Sequence, residues 1–134
     1  MKKLLLFVGL VLLITSCDPG ATDVFNVDNQ SDWEVLVGYK QWDVDTVIAV
    51  APKELRTVYV QNYLGVAGDG GDSFLSPFDT LYINVNDTME LGMSCMQRRN
   101  WELKVSSKNC WRGDGGIAEY KLIIENDDIV RRHE

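Results

Sequence analysis

Residues 33–61 read WEVLVGYKQWDVDTVIAVAPKELRTVYVQ, and this stretch decides the fold class. Apolar residues fall at every second position or in short runs, and Val, Ile, Tyr, Trp and Thr dominate, as expected of a chain that lies pleated with one face covered. Ala51-Pro52-Lys53 interrupts the pattern with turn chemistry. The same grammar extends outward in both directions, with Asp28-Asn29-Gln30-Ser31-Asp32 as the preceding turn. It predicts strands over 23–27, 33–39, 46–50, 55–61, 80–85, 101–106 and 118–125. A long helical stripe is absent. Met89, Met93 and Met96 recur at helical spacing, so a short helix or irregular crossover is expected near 89–99, although Gly92 weakens it. About seven strands in one domain imply a single immunoglobulin-like two-sheet sandwich over residues 23–127, followed by a charged tail over 128–134.

The first residues depart from this grammar. Lys2 and Lys3 precede an almost unbroken apolar run from Leu4 to Ile14, too short to span a bilayer and built like a signal peptide over 1–16. Leu13-Ile14-Thr15-Ser16-Cys17 then resembles a bacterial lipobox. That resemblance implies cleavage before Cys17, thioether-linked lipid and an N-acyl chain on it, and a short lipidated tether over 17–22. More than one acyl chain anchors stably where one does not. The expected location is the bacterial cell envelope, at the outer membrane.

Removing Lys2 and Lys3 leaves 11 of the 13 basic residues against 20 acidic ones, so the exported domain is strongly acidic. Nucleic acid as a partner is disfavoured, as is electrostatic adsorption to an anionic bilayer, because both need a basic patch. With Cys17 lipidated, Cys95 and Cys110 form an even pair in an oxidising compartment, and a disulfide between them is expected. Such a bridge would stabilise by ~3 kcal/mol in the chain-entropy model. Two unpaired thiols are the alternative; a metal site would need more than two cysteines and His133.

The turn Val24-Phe25-Asn26-Val27-Asp28-Asn29-Gln30-Ser31-Asp32, the Asp45-Thr46 and Ala51-Pro52 positions, the start Phe78-Asp79-Thr80-Leu81 and the late Trp101-Glu102-Leu103 resemble small Bacteroidetes lipoproteins. The resemblance covers most of the chain after Cys17 through short, degenerate motifs. It implies an envelope location and a β-rich fold, and no activity.

Catalytic grammar is missing. No Gly-x-Ser-x-Gly occurs, His133 is the single histidine and next to last, and zinc and phosphate-loop motifs are absent, so the chain is read as no enzyme, with no metal and no cofactor. Acid pairs such as Asp69/Asp72 and Glu119/Glu125 are expected by chance in so acidic a chain. The loops Gly68-Asp69-Gly70-Gly71-Asp72-Ser73 and Gly113-Asp114-Gly115-Gly116 invite a calcium reading, but neither carries an EF-hand ladder; flexible connections are the simpler expectation.

Four tryptophans supply flat rings with a polar tip. Trp33 and Trp101 begin strands and are expected to be structural. Trp42 and Trp111 lie among polar residues and are the candidates for exposure and glycan stacking. Asp45-Thr46-Val47, Asp79-Thr80-Leu81 and Asp87-Thr88-Met89 resemble the O-glycosylation acceptor pattern of Bacteroidetes, which would place sugar on Thr46, Thr80 and Thr88. The function expected from all this is a non-catalytic lipoprotein, held to the membrane by Cys17, that docks onto an envelope protein. The alternative is a polysaccharide-binding surface lipoprotein that uses the loop aromatics.

Overall fold

The computed structural model describes residues 20–106 and 114–132. The expected all-β two-sheet sandwich forms, with nine strands among the described residues rather than about seven. They are β1 (Gly20–Asn29), β2 (Val35–Gln41), β3 (Val44–Val50), β4 (Glu54–Leu64), β5 (Thr80–Asn84), β6 (Met89–Leu91), β7 (Trp101–Val105), β8 (Asp114–Ile124) and β9 (Ile129–Arg131). One sheet, sheet A, has the order β4-β1-β8-β7; the other, sheet B, has β3-β2-β5-β6-β9. Strands β1 and β8 run parallel, and every other pairing is antiparallel.

Alternation explains the core. Along β8, Ala118, Tyr120, Leu122 and Ile124 are buried while the residues between them face outward. In β1, Ala21, Phe25 and Val27 are buried against them, and a bulge between Phe25 and Asn26 shifts the register against β4. Phe25 is the hub between the sheets. Its ring stacks on Tyr120 at 5.0 Å and meets Phe78 and Trp101 edge-on at 5.1 and 5.9 Å, while Tyr59 and Phe78 carry the contact to Tyr39 of β2. Offset and edge-to-face pairs of this kind are the favoured aromatic geometries.

One end of the sandwich is pinned by Asn29, fully buried at the end of β1. Its amide nitrogen donates toward the carbonyls of Trp33, Val50 and Ala51 at 2.7–3.1 Å, and its Oδ1 accepts from the Ser31 N–H and hydroxyl. A single side chain thus ties the β1–β2 crossover to the β3–β4 turn. In that turn Pro52 is followed by Lys53 at φ 63°, and the Glu54 N–H closes onto Ala51 O at 3.2 Å, the arrangement of a type II turn.

Several expectations need correction. Strand β1 begins at Gly20, because Gly20–Thr22 pair with both β4 and β8; the segment expected as tether over 17–22 is therefore partly strand. Trp33 precedes β2, which starts at Val35. No helix forms over 89–99. Met89–Leu91 pair with Ile129–Arg131, and the Gly92 N–H donates to Asp128 O at 2.7 Å, so the backbone groups a helix would need are spent on the sheet; a 3-10 turn at Arg98–Asn100 follows. The segment expected as a charged tail from 128 onward is partly strand, since Ile129 is buried and β9 (Ile129–Arg131) forms an edge of sheet B. The glycines at 115 and 116 belong to β8 rather than to a flexible loop. A Cβ at Gly115 would lie 2.2 Å from Gly65 O and 2.9 Å from Gly20 O, so three backbones meet there as only glycine allows.

Candidate functional site

Two surfaces stand out, and the hairpin of β2 and β3 carries both. On the outer face of sheet B, Gly38 is paired with Val47 on one side and Tyr82 on the other. The Tyr82 ring lies flat across Gly38, so close that a Cβ at position 38 would sit 2.1 Å from the ring. The ring is 44% exposed and Val47 is 57% exposed. Leu36 and Ala49, paired with each other in the neighbouring row, extend this apolar face. The outer face of sheet A is mixed: Leu55, Val60 and Ile117 are exposed on it, while Asn26 bonds Thr57 and Glu119, Thr22 bonds Asn62, and Lys121 pairs with Glu102.

Strand β3 is also an edge of its sheet. Arg56 Nη1 donates to Ala49 O at 2.7 Å, which shows that the Ala49 carbonyl points away from β2. Since the N–H and C=O of one residue share a side and alternate along a strand, those of Asp45 and Val47 also face the open edge. Exposed edges of this kind are templates for strand addition unless charge or cover blunts them. Here Arg56 covers one end, and among the described residues no strand pairs along the middle.

At the hairpin tip, Gln41 pairs with Val44, leaving a two-residue turn of Trp42 and Asp43. Trp42 has φ 57° and is 83% exposed. A left-handed backbone at a bulky residue costs about 1–2 kcal/mol that glycine would not incur, and a strained position that displays an aromatic ring to solvent is a pointer to function.

The long connection from β4 to β5 is held shut by Arg98. Its Nε and Nη2 fork onto the Asp69 carboxylate at 2.7 and 3.0 Å, Nη1 donates to Trp101 O, and the guanidinium stacks over Tyr120 and Phe74. Those bonds hold the Asp69 carboxyl below its ordinary range. Tyr120 completes the closure, donating from its hydroxyl to Gly68 O and accepting from the Gly70 N–H. The Asp69 carboxylate is thus committed to an arginine, and among the described residues no group of three or more His, Cys, Asp or Glu is placed to hold a metal. Beneath this loop lies a cleft of about 300 Å³ where Asp23, inward-facing on β1, accepts from the Tyr63 hydroxyl at 3.2 Å. Desolvation pushes the Asp23 carboxyl up against the weaker lowering effect of that bond, and burial together with the Asp23 charge pushes Tyr63 up to about 12.

At the opposite end, Trp33 is 43% exposed and lines a groove of about 600 Å³ with Asp87, Thr88, Met89, Arg131 and Arg132. The expectation of a structural Trp33 is therefore only half met, whereas Trp101 is buried and donates from its indole to Cys95 O at 2.8 Å. The expected disulfide partner Cys110 lies outside the described residues, among which Cys95 is a free thiol. The Cys95 sulfur is buried and turned toward Leu81 O at 3.7 Å, and burial pushes the thiol pKa up. Cys17, Cys110 and Trp111 lie outside the described residues, so only Trp42 of the paired aromatics can be placed. Thr46 is half-buried on β3, while Thr80 and Thr88 are exposed; Thr88 is turned onto Asn86 Oδ1 by its N–H and hydroxyl.

No family model, no curated protein and no solved structure matches the chain. The Tyr82–Val47 face and the open β3 edge were missed in the sequence because strand alternation marks two faces without telling which is covered. The Gly38–Tyr82 pairing becomes visible only once register is known.

Proposed function

We propose that the chain is a bacterial envelope lipoprotein of the Bacteroidetes type, anchored by lipid on Cys17, whose sandwich is a non-catalytic module that docks onto another envelope protein. The observation that carries the docking role is the open β3 edge lying beside the apolar row of Val47, Gly38 and Tyr82. Main-chain pairing along such an edge supplies affinity, and the side chains on the adjoining face supply selectivity. The anchor rests on the sequence from Lys2 to Cys17.

Crosslinked purification of the protein from native membranes tests the reading, with Val47→Lys as the comparison. The expected result is a reproducible protein partner that Val47→Lys loses. Equal capture by both proteins would refute the edge as the docking site. The second reading, a carbohydrate-binding surface using Trp42 and Trp111, is favoured by the exposure of Trp42. Polysaccharide recovered without a protein partner would support it.

A further inference from the structure

The two ends of the sandwich differ in what they expose, and the chain before Gly20 relates one of them to the anchor. Strand β1 starts at Gly20, opposite Leu64, and finishes at Asn29 beside Val50 and Ala51. Strand β2 leaves that far end at Val35, opposite Val50, and finishes at Gln41. The Trp42–Asp43 turn therefore lies at the Gly20 end. Only Asp18 and Pro19 separate Gly20 from Cys17. At the maximum extension of a polypeptide these residues reach roughly 10 Å.

We infer that, when lipid on Cys17 anchors the protein, the Gly20 end of the sandwich rests on the bilayer with Trp42 seated among zwitterionic phospholipid headgroups and Leu64 and Val66 beside the same surface. This rests on the proposed lipid anchor and adds an orientation and a membrane-contact site to it. The apolar residues at this end fit such a surface: Trp42, Val44, Leu64 and Val66 are all exposed, Leu64 at 75%. Indole rings favour the headgroup level because a flat apolar body and a polar N–H match the gradient there. Trp42 occupies the two-residue turn at the tip of the hairpin and is open to solvent there. The charges at this end do not call for anionic lipid. Asp43, Asp45, Asp69 and Asp72 are set against Lys40, which lies opposite Asp45, Arg98, which is tied to Asp69, and the exposed Arg99. With no basic excess there is nothing to draw anionic headgroups, and a zwitterionic surface suffices.

The test uses the full lipidated protein, purified from membranes and reconstituted into phosphatidylcholine vesicles with or without bromine on the acyl chains. The expected result is a loss of about one tryptophan's share of emission on brominated lipid, one in four, and Trp42→Phe removes most of that loss. Leu64→Gln lowers it in part. Equal quenching of the wild type and Trp42→Phe, with acylation of Cys17 shown by mass spectrometry of the N-terminal peptide, overturns the orientation and leaves the anchor standing. An unacylated Cys17 overturns both. A response of Trp42 emission to isolated envelope polysaccharide, in place of brominated lipid, overturns the membrane contact in favour of glycan binding.

Discussion

Asn29 makes more of the fold than its place in a polar run suggests. Asp28-Asn29-Gln30-Ser31-Asp32 has turn chemistry, yet Asn29 is buried as the last residue of β1 and its amide faces three carbonyls. Turn residues bond backbone, and a sequence does not say whether that backbone is local or, as at Val50 and Ala51, beyond the next strand pair. Asn29→Ala is expected to cost about 3 kcal/mol, because buried carbonyls lose a donor and gain no water. Asn29→Asp should cost more, since a carboxylate cannot donate to them. Denaturant midpoints of the three proteins check both, and an alanine variant within experimental error of the wild type would rule out the hub role. Asp23 is the opposite case, a polar group whose burial costs stability. Its folded-state pKa is raised by desolvation, so the folded protein holds this proton more tightly than the unfolded chain does. Stability from this group therefore falls as pH rises through the interval from the ordinary value of 3.8 to the raised one, and stays lower above it. Asp23→Asn should be slightly more stable at neutral pH, with the gain vanishing in acid. A gain that persists unchanged in acid would show that carboxylate desolvation is not its source.

Among the elements, those with several turns of alternation were legible and the three-residue ones were not. Strands β2, β3, β4, β5, β7 and β8 fall where period-two patterns place them, within a few residues. Strands β6 and β9 are too short for any period, and Met89, Met93 and Met96 offered a competing helical one. What decides the matter is non-local: Met89 pairs with Arg131 and Gly92 donates to Asp128, far along the chain. The docking face was illegible for a related reason. Gly38 interrupts a strand, which weakens it by local rules, but across the sheet it makes room for the Tyr82 ring. Gly38→Ala should therefore act on the face rather than the fold. The clashing atoms are at the far end of the exposed tyrosine, so the ring is pushed off the sheet and stability changes by about 1 kcal/mol or less. Partner capture should drop as it does for Val47→Lys. A large loss of stability with the face intact would show instead that Gly38 is needed by the backbone.

At the scale of the whole molecule, polarity along the long axis is what links fold to proposed role. The Gly20 end carries Trp42, Leu64 and the Arg98-latched loop; the far end carries the Asn29 network and the Trp33 groove with Arg131 and Arg132. The β3 edge runs between them, which leaves it reachable from the side when one end faces a membrane. None of this arrangement depends on lipid for its stability, because β1 is paired on both sides from Gly20 onward and its core partners all come from within the sandwich. Anchoring and folding should consequently separate in one experiment. Cys17→Ser is expected to move the protein from the membrane fraction to the soluble fraction while leaving its thermal unfolding unchanged, and to abolish the difference between Trp42 and Trp42→Phe on brominated vesicles. Membrane retention of a folded Cys17→Ser protein would mean that something other than this cysteine holds it there, and the closeness of Gly20 to the bilayer would lose its basis.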